Sequence, residues 1–308
     1  MATPADHPVT GVIIPLVTAL DRRGRPDAAA VRPLLAHLAA GGVTTLMLAG
    51  TNGEGPLLPF DGVRKYAAEV SALWRELAGA SARIMVTAVG AGTREVMRNL
   101  ESLDDLDLDA VVVLAPYYFR HTEEELHAHF RAAASHGRPV VVYNSPGYTG
   151  NPIPVSLVRR LLAEPAIIGL KDSSGDTALF AQFCDVAGER AGFHVAQGVE
   201  RRLAEGLRQG AAGVVPGVGM LAPALCVELF QAGRDGDHAT AAERQRDVDR
   251  LAALFGLRPG ASGVVVVKTA LHLLGLSPPH AAAPFLPCSE TELATLHTAL
   301  AGLHDLLA

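Results

Sequence analysis

A barrel of eight parallel strands, each followed by a helix, is the architecture this 308-residue sequence predicts. Short β-branched runs recur eight times, at Val12–Leu20, Thr44–Gly50, Arg83–Val89, Ala110–Ala115, Pro139–Ser145, Ile167–Lys171, His194–Gln197 and Gly213–Pro216. Runs such as Val111-Val112-Val113-Leu114 and Val140-Val141-Val142 are apolar at consecutive positions, as strands buried on both faces of a parallel sheet are. Amphipathic stretches of helical length separate the runs evenly, giving eight strand–helix units in about 230 residues, the size of a (β/α)8 barrel. A doubly wound open sheet is the competitor. However, no Gly-x-Gly-x-x-Gly follows the first run, and the units continue to eight.

The intervening helices carry their own punctuation. Asp27 or one of its neighbours opens a helix over Ala28–Ala40, and Gly41-Gly42 closes it. Thr122 followed by Glu125 reads as a capping box before Leu126–Ser135, with Gly137 as the stop. Pro154 suits the first turn of a helix running to Ala163. Beyond the eighth strand the chain reads as three or four helices, including Ala241–Phe255, Gly263–Leu274 and Ser289–Leu307. Turn signals stand at Arg258-Pro259-Gly260 and Ser277-Pro278-Pro279. The expected division is a barrel over 1–222, carrying the active site, and a last barrel helix with a helical extension over 223–308.

Composition narrows the class of function. At 49% apolar and 19% charged residues the chain is a compact protein rather than a disordered one. A net charge of −6 without a basic stretch argues against a nucleic-acid partner. No apolar run approaches the roughly 18 residues of a membrane span, and Met1 to Thr10 lacks the pattern of a secretory leader. Cys184, Cys226 and Cys288 have no paired spacing, which leads us to expect reduced thiols in a cytoplasmic protein.

The chemistry is carried by strand ends, where barrels of this kind place their functional groups. There are only three lysines, Lys65, Lys171 and Lys268, and arginine supplies the other 23 of the 26 basic residues. Lysine offers what arginine does not, an amine that can become a neutral nucleophile and form a Schiff base with a carbonyl substrate. Lys171 ends the sixth strand, and alternation puts Ile167, Gly169 and Lys171 on one face, as it puts Val141 and Tyr143 on one face of the fifth. If both faces point inward, amine and phenol share the barrel mouth, where a phenol can relay protons. Gly50-Thr51-Asn52-Gly53-Glu54-Gly55 ends the second strand, and its amides and the Thr51 and Asn52 side chains suit a carboxylate. Four of the five tyrosines, Tyr117, Tyr118, Tyr143 and Tyr148, lie on two neighbouring loops, which plain aromatic packing over the mouth also explains. Lys268, after a run of four valines, is the rival nucleophile and is read as structural, paired or snorkelling. His121, His127, His129 and His136 surround one predicted helix with spacings that do not share a face, so a solvated surface is expected and no metal site.

Taken together, Gly50–Glu54 (GTNGE), Pro116–Tyr118 (PYY), Tyr143–Gly150 (YNSPGYTG) and Gly169–Asp176 (GLKDSSGD) resemble the pyruvate-dependent class I aldolases and lyases of the dihydrodipicolinate synthase / N-acetylneuraminate lyase superfamily, over nearly the whole chain. The resemblance implies Lys171 as the Schiff-base lysine, Tyr143 as proton shuttle, and Thr51 in the proton relay. It implies that Thr51 and Asn52 hold the carboxylate of a 2-oxo acid such as pyruvate, opposite an aldehyde partner and without cofactor. Tyr118 falls where relatives insert a tyrosine into a neighbouring subunit, implying a dimer or a dimer-of-dimers tetramer. Gly198 and Glu200 fall where sugar-acid lyases contact substrate hydroxyls, and Val215 where the pocket is lined. Tyr148 stands where dihydrodipicolinate synthases carry the arginine that grips aspartate semialdehyde, Asn52 where many members have Thr or Ser, and Ala19 where proline is usual. The implied activity is cleavage or formation of a carbon–carbon bond beside a pyruvate unit, on a 2-oxo-3-deoxy sugar acid or 4-hydroxy-2-oxo acid. A 2-oxo-3-deoxy acid dehydratase, a 4-hydroxy-tetrahydrodipicolinate synthase and a non-catalytic barrel that binds a small acid are the alternatives.

Overall fold

The computed structural model describes residues 7–259 and 262–307, so Gly260 of the predicted turn, and residues 1–6 of the amino-terminal stretch, lie outside the described residues. Strands β1 (Gly11–Pro15), β2 (Thr45–Leu48), β3 (Arg83–Ala88), β4 (Ala110–Leu114), β5 (Val140–Asn144), β6 (Ile167–Asp172), β7 (His194–Gln197) and β8 (Gly213–Val214) pair in parallel in chain order. The barrel closes where Gly11 and Val12 pair with Gly213 and Val214. Helices α1 (Arg32–Ala40), α2 (Phe60–Ala78), α3 (Thr93–Glu101) and α4 (Glu123–Ser135) follow the first four strands. A single turn, α5 (Pro146–Thr149), and α6 (Val155–Leu161) follow β5, and α7 (Thr177–Ala187), α8 (Leu203–Arg208) and α9 (Pro223–Arg234) complete the ring. Helices α10 (His238–Ala252), α11 (Val264–Leu273) and α12 (Glu290–Ala301) form the extension.

All eight expected strands are present, and the expected barrel is the fold. The consecutive apolar residues arise as reasoned: β2 and β5 are buried at every position, with the barrel interior on one side and helices on the other. The capping box of α4 is formed, with Thr122 Oγ1 accepting from the Glu125 amide (3.3 Å) and Glu125 Oε2 from the Thr122 amide (2.8 Å). Pro154 is the cap residue itself, one position before α6 begins. Between Asp27 and α1 a turn of 3-10 helix intervenes at Ala29–Val31, with Asp27 Oδ1 accepting from the Ala29 and Ala30 amides.

Two expectations are corrected. The first strand stops at Pro15 instead of Leu20. Past it Thr18 Oγ1 donates to the Gly53 carbonyl (2.6 Å) and the Ala19 amide to the Tyr66 hydroxyl (3.2 Å), so burial continues without a ladder and the apolar run overstates the strand. On β6, Ile167 does not share a face with Gly169 and Lys171. A bulge lies there, since Val140 pairs with Ile167 but the next residue, Val141, pairs with Gly169. The extra residue, Ile168, packs against the barrel interior, while Ile167 joins the outer core between sheet and helices. Above the bulge the parity is as expected, and Tyr143 pairs with Lys171. The interior is filled by Val9, Ile13, Met47, Met85, Val112, Val141 and Ala196, which close the barrel beneath its mouth.

Candidate active site

Lys171 and Tyr143 are inward neighbours at the top of β6 and β5. Lys171 is 5% exposed and Tyr143 3%. The amine nitrogen sits 4.1 Å from the centre of the phenol ring and 4.0 Å from Met47 Sδ. Among the described residues no carboxylate lies within ion-pair distance of it. Room for the lysine stem is made by Gly198, where a Cβ would meet Lys171 Cε at 3.0 Å and Ser173 Oγ at 2.3 Å. On the outer side of the same strands Asn144 Nδ2 donates to Asp172 Oδ1 (2.6 Å), and Asn144 Oδ1 accepts from the Ile153 amide (3.1 Å). That link holds the two strand ends in register, and the reactive pair with them. Ser145 and Ser173, within the quoted motifs but given no role there, complete the surroundings of the phenol.

Burial pushes the Tyr143 phenol up, but the positive charge of Lys171 and the hydroxyls of Thr51, Ser145 and Ser173 outweigh it, and the phenol comes down to about 8. Thr51 Oγ1 lies 3.4 Å from the Tyr143 hydroxyl. The loop that carries Thr51 is tightly determined. Ala49 and Glu54 adopt φ of +54° and +57°, and a Cβ on Gly55 would lie 1.9 Å from the Ala49 carbonyl oxygen, so only glycine fits.

Lys171, Tyr143, Thr51, Asn52, Tyr148, Gly198, Glu200 and Val215 all line one cavity of about 280 Å³. Glu200 Oε1 accepts from the Gly217 amide (2.6 Å), and Oε2 is buried without a hydrogen-bond partner. Burial raises this carboxyl to about 7, against the pull of the Gly217 and Val218 amides and the Lys171 charge. Phe255, Val264 and Val267, from the extension, line the same cavity. Sequence reasoning assigned these residues no part in the site. Val264 and Val267 were visible only as a valine run, whose helical face follows from packing.

Other residues stand apart. Tyr118 does not line the cavity of its own chain. It is 86% exposed at φ +85°, beside an exposed Phe119, so aromatic packing over the mouth does not describe this pair. Lys268 is paired, as read: it is fully buried and donates to Glu54 Oε1 (2.5 Å). The solvated surface expected of the four histidines fails for His129. It is buried between α3, α4 and β4, where its Nε2 donates to the Leu114 carbonyl (3.0 Å) and its Nδ1 accepts from Thr93 Oγ1 (2.9 Å). Burial drives its pKa down to about 4. The three cysteines are unpaired, and among the described residues no helix is long and apolar enough to cross a membrane.

The chain is similar to known proteins over nearly its whole length. Residues 8–303 match the sequence model of the dihydrodipicolinate synthetase family. A 4-hydroxy-tetrahydrodipicolinate synthase of Corynebacterium aurimucosum is 31% identical over 95% of this chain and 92% of that one. An uncharacterized DapA-like lyase of Halobacterium salinarum is 32% identical over 95% and 93%. Among solved structures, YagE of E. coli K12, a prophage protein of the dihydrodipicolinic acid synthase family in complex with pyruvate, superposes with a TM-score of 0.89 at 28% identity, covering 97% and 99% of the two chains. The lysine at the mouth of a closed barrel thus has its context: this chain belongs to the dihydrodipicolinate synthetase family and is a class I pyruvate-dependent lyase.

Proposed function

We propose that the protein cleaves or forms the carbon–carbon bond between a pyruvate unit and an aldehyde, on a hydroxylated 2-oxo acid, with Lys171 as the Schiff-base residue. The observation that carries this is the buried Lys171 amine over the Tyr143 ring, facing a cavity and without a carboxylate partner. The neutral amine adds to the ketone, and loss of water with transfer of the Tyr143 phenol proton to the nitrogen leaves an iminium and a phenolate. Tyr143, as phenolate, takes the proton of the 4-hydroxyl. The C3–C4 bond then breaks, the aldehyde departs, and the electron pair forms the pyruvate enamine. The phenol returns its proton to C3, and water hydrolyses the iminium. Thr51 passes protons to and from Tyr143, while Thr51 and Asn52 hold the carboxylate. Gly198, Glu200, Val215 and Tyr148 shape the site for the rest of the chain, and the unpartnered Glu200 oxygen is suited to a hydroxyl.

Borohydride added with pyruvate should leave a pyruvate-derived mass on the peptide containing Lys171. A label on Lys268, or binding of pyruvate without any adduct, would overturn the assignment, the latter in favour of a binding barrel. The second reading, a 4-hydroxy-tetrahydrodipicolinate synthase, draws support from the name of the Corynebacterium relative. Against it, no arginine is among the described residues lining the cavity, and Tyr148 stands at its rim. A phenol does not replace a bidentate guanidinium. Condensation with aspartate semialdehyde, set beside pyruvate release from 2-oxo-3-deoxy sugar acids, separates the two. A dehydrated product instead of an aldehyde would identify the dehydratase alternative.

The active form is read as a dimer or a dimer of dimers. A strained, exposed Tyr118 and an apolar recess of about 240 Å³ beside Thr51, walled by Leu57, Val89, Leu114, Tyr117 and Phe285, suit a tyrosine of one copy entering the other. Sedimentation of wild type and Tyr118→Ala tests this, a monomeric wild type refuting it. The unpaired thiols suit a cytoplasmic location, which cell fractionation checks.

A further inference from the structure

We infer that the buried Glu54–Lys268 pair is a positioning device, fastening the loop that carries Thr51 and Asn52 to the helix that brings Val264 and Val267 to the same cavity. The roles of Thr51 and Asn52 rest on the lyase reading above; the link itself does not. Both side chains are fully buried, and one carboxylate serves two separate segments of the extension. Glu54 Oε1 takes Lys268 Nζ on α11, and Oε2 takes the amide of Ala282 (2.5 Å). Lys268 follows Val267 directly and lies one turn after Val264, both of which line the cavity. On the loop side, the Glu54 amide donates to the Thr51 carbonyl (3.1 Å), so a shift of Glu54 is handed on to Thr51 across one turn.

The type of contact matters as much as its place. A non-glycine residue at φ +57° keeps that conformation only when its surroundings impose it. Apolar contacts slide with little loss, whereas a buried charge displaced from its partner is heavily penalised, so an ion pair here specifies geometry more than it stabilises. Burial lowers the Lys268 ammonium and the Glu54 charge offsets only part of that, so the buried cation depends on the carboxylate being in place. Neither group lines the cavity around Lys171, and neither touches the reacting atoms.

The experiment compares the full-length wild type with Lys268→Met and Glu54→Gln by hydrogen exchange and by borohydride trapping of pyruvate. Expected in Lys268→Met is exchange of the Gly50–Leu58 amides faster by about tenfold or more, with β4, β5 and β6 unchanged. The apparent KM for pyruvate in trapping should rise about tenfold, while the rate at saturation stays within about twofold, because Lys171 and Tyr143 stand on other strands. Glu54→Gln keeps the size of the side chain but leaves one acceptor oxygen where Lys268 and the Ala282 amide need two, and should move both readouts the same way. It decides the matter if Lys268→Met does not fold. A lower melting temperature with loop exchange and KM at wild-type values would reduce the pair to a stabilising contact and overturn the inference. So would a saturating rate that falls at constant KM. A wild type that forms no adduct would defeat the lyase reading instead, and the exchange of the loop would still decide the link.

Discussion

Two lysines are buried, Lys171 in the cavity and Lys268 behind residues that line it, and the protein treats them in opposite ways. At the barrel mouth Lys171 faces a phenol ring and open space. In the extension Lys268, more deeply buried still, is locked to Glu54 at 2.5 Å. Burial alone therefore does not mark a nucleophile. An amine that donates to a carboxylate has no free lone pair to offer; an amine facing a phenol and a cavity has room for a carbonyl to approach it. The partner decides, and the partner comes from a distant part of the chain.

The sharpest way to break this contrast is to exchange the amine for a permanent charge. Lys171→Arg should abolish the pyruvate adduct and lower turnover by on the order of 10⁴-fold or more, whereas arginine at a purely electrostatic site would be tolerated. Next in size, Tyr143→Phe should still form the adduct but lose about 10²- to 10³-fold in the cleavage step. The wild-type cleavage rate should fall as pH drops below about 8, where the phenol takes up its proton, and the variant should lack that limb. On the other side of the comparison, Lys268→Met should cost about 3–5 kcal/mol in a urea unfolding curve, because it leaves the Glu54 carboxylate buried without its cation. A loss within experimental error would show that the pair is not closed in solution. The smallest expected effect is that of Glu200→Gln, an amide that still accepts from Gly217. It should weaken kcat/KM for polyhydroxylated 2-oxo acids by about tenfold and leave pyruvate trapping untouched. Since Glu200 titrates near 7, recognition of the hydroxylated substrate should strengthen above that pH, and the variant should resemble wild type at low pH throughout. Equal losses on pyruvate and on sugar acids would remove Glu200 from substrate recognition.

Much of the site was legible because strand ends are local features. Lys171 and Tyr143 follow from parity on two neighbouring strands. Thr51 and Asn52 stand in a loop at a strand end, Gly198, Glu200 and Val215 enter only through the family resemblance, and the cavity gathers all five. What escaped was whatever depended on parity being broken or on contacts far along the chain. The bulge at Ile168 adds one residue to β6, and no side-chain pattern in Ile167-Ile168-Gly169 announces it. His129 sits at a spacing that reads as surface, and it is buried because α3 and β4 supply partners for both ring nitrogens.

From the sequence alone came the eight alternating units, the both-sides-buried strands and the position of an amine at the end of the sixth, since period, punctuation and residue chemistry act over a few neighbours. The closure of β8 on β1, the presence of Phe255, Val264 and Val267 in the cavity of Lys171, and the meeting of Glu54 with Lys268 across 214 residues belong to the tertiary structure. Each joins groups far apart in the chain, and only the folded path of the backbone sets the distance between them.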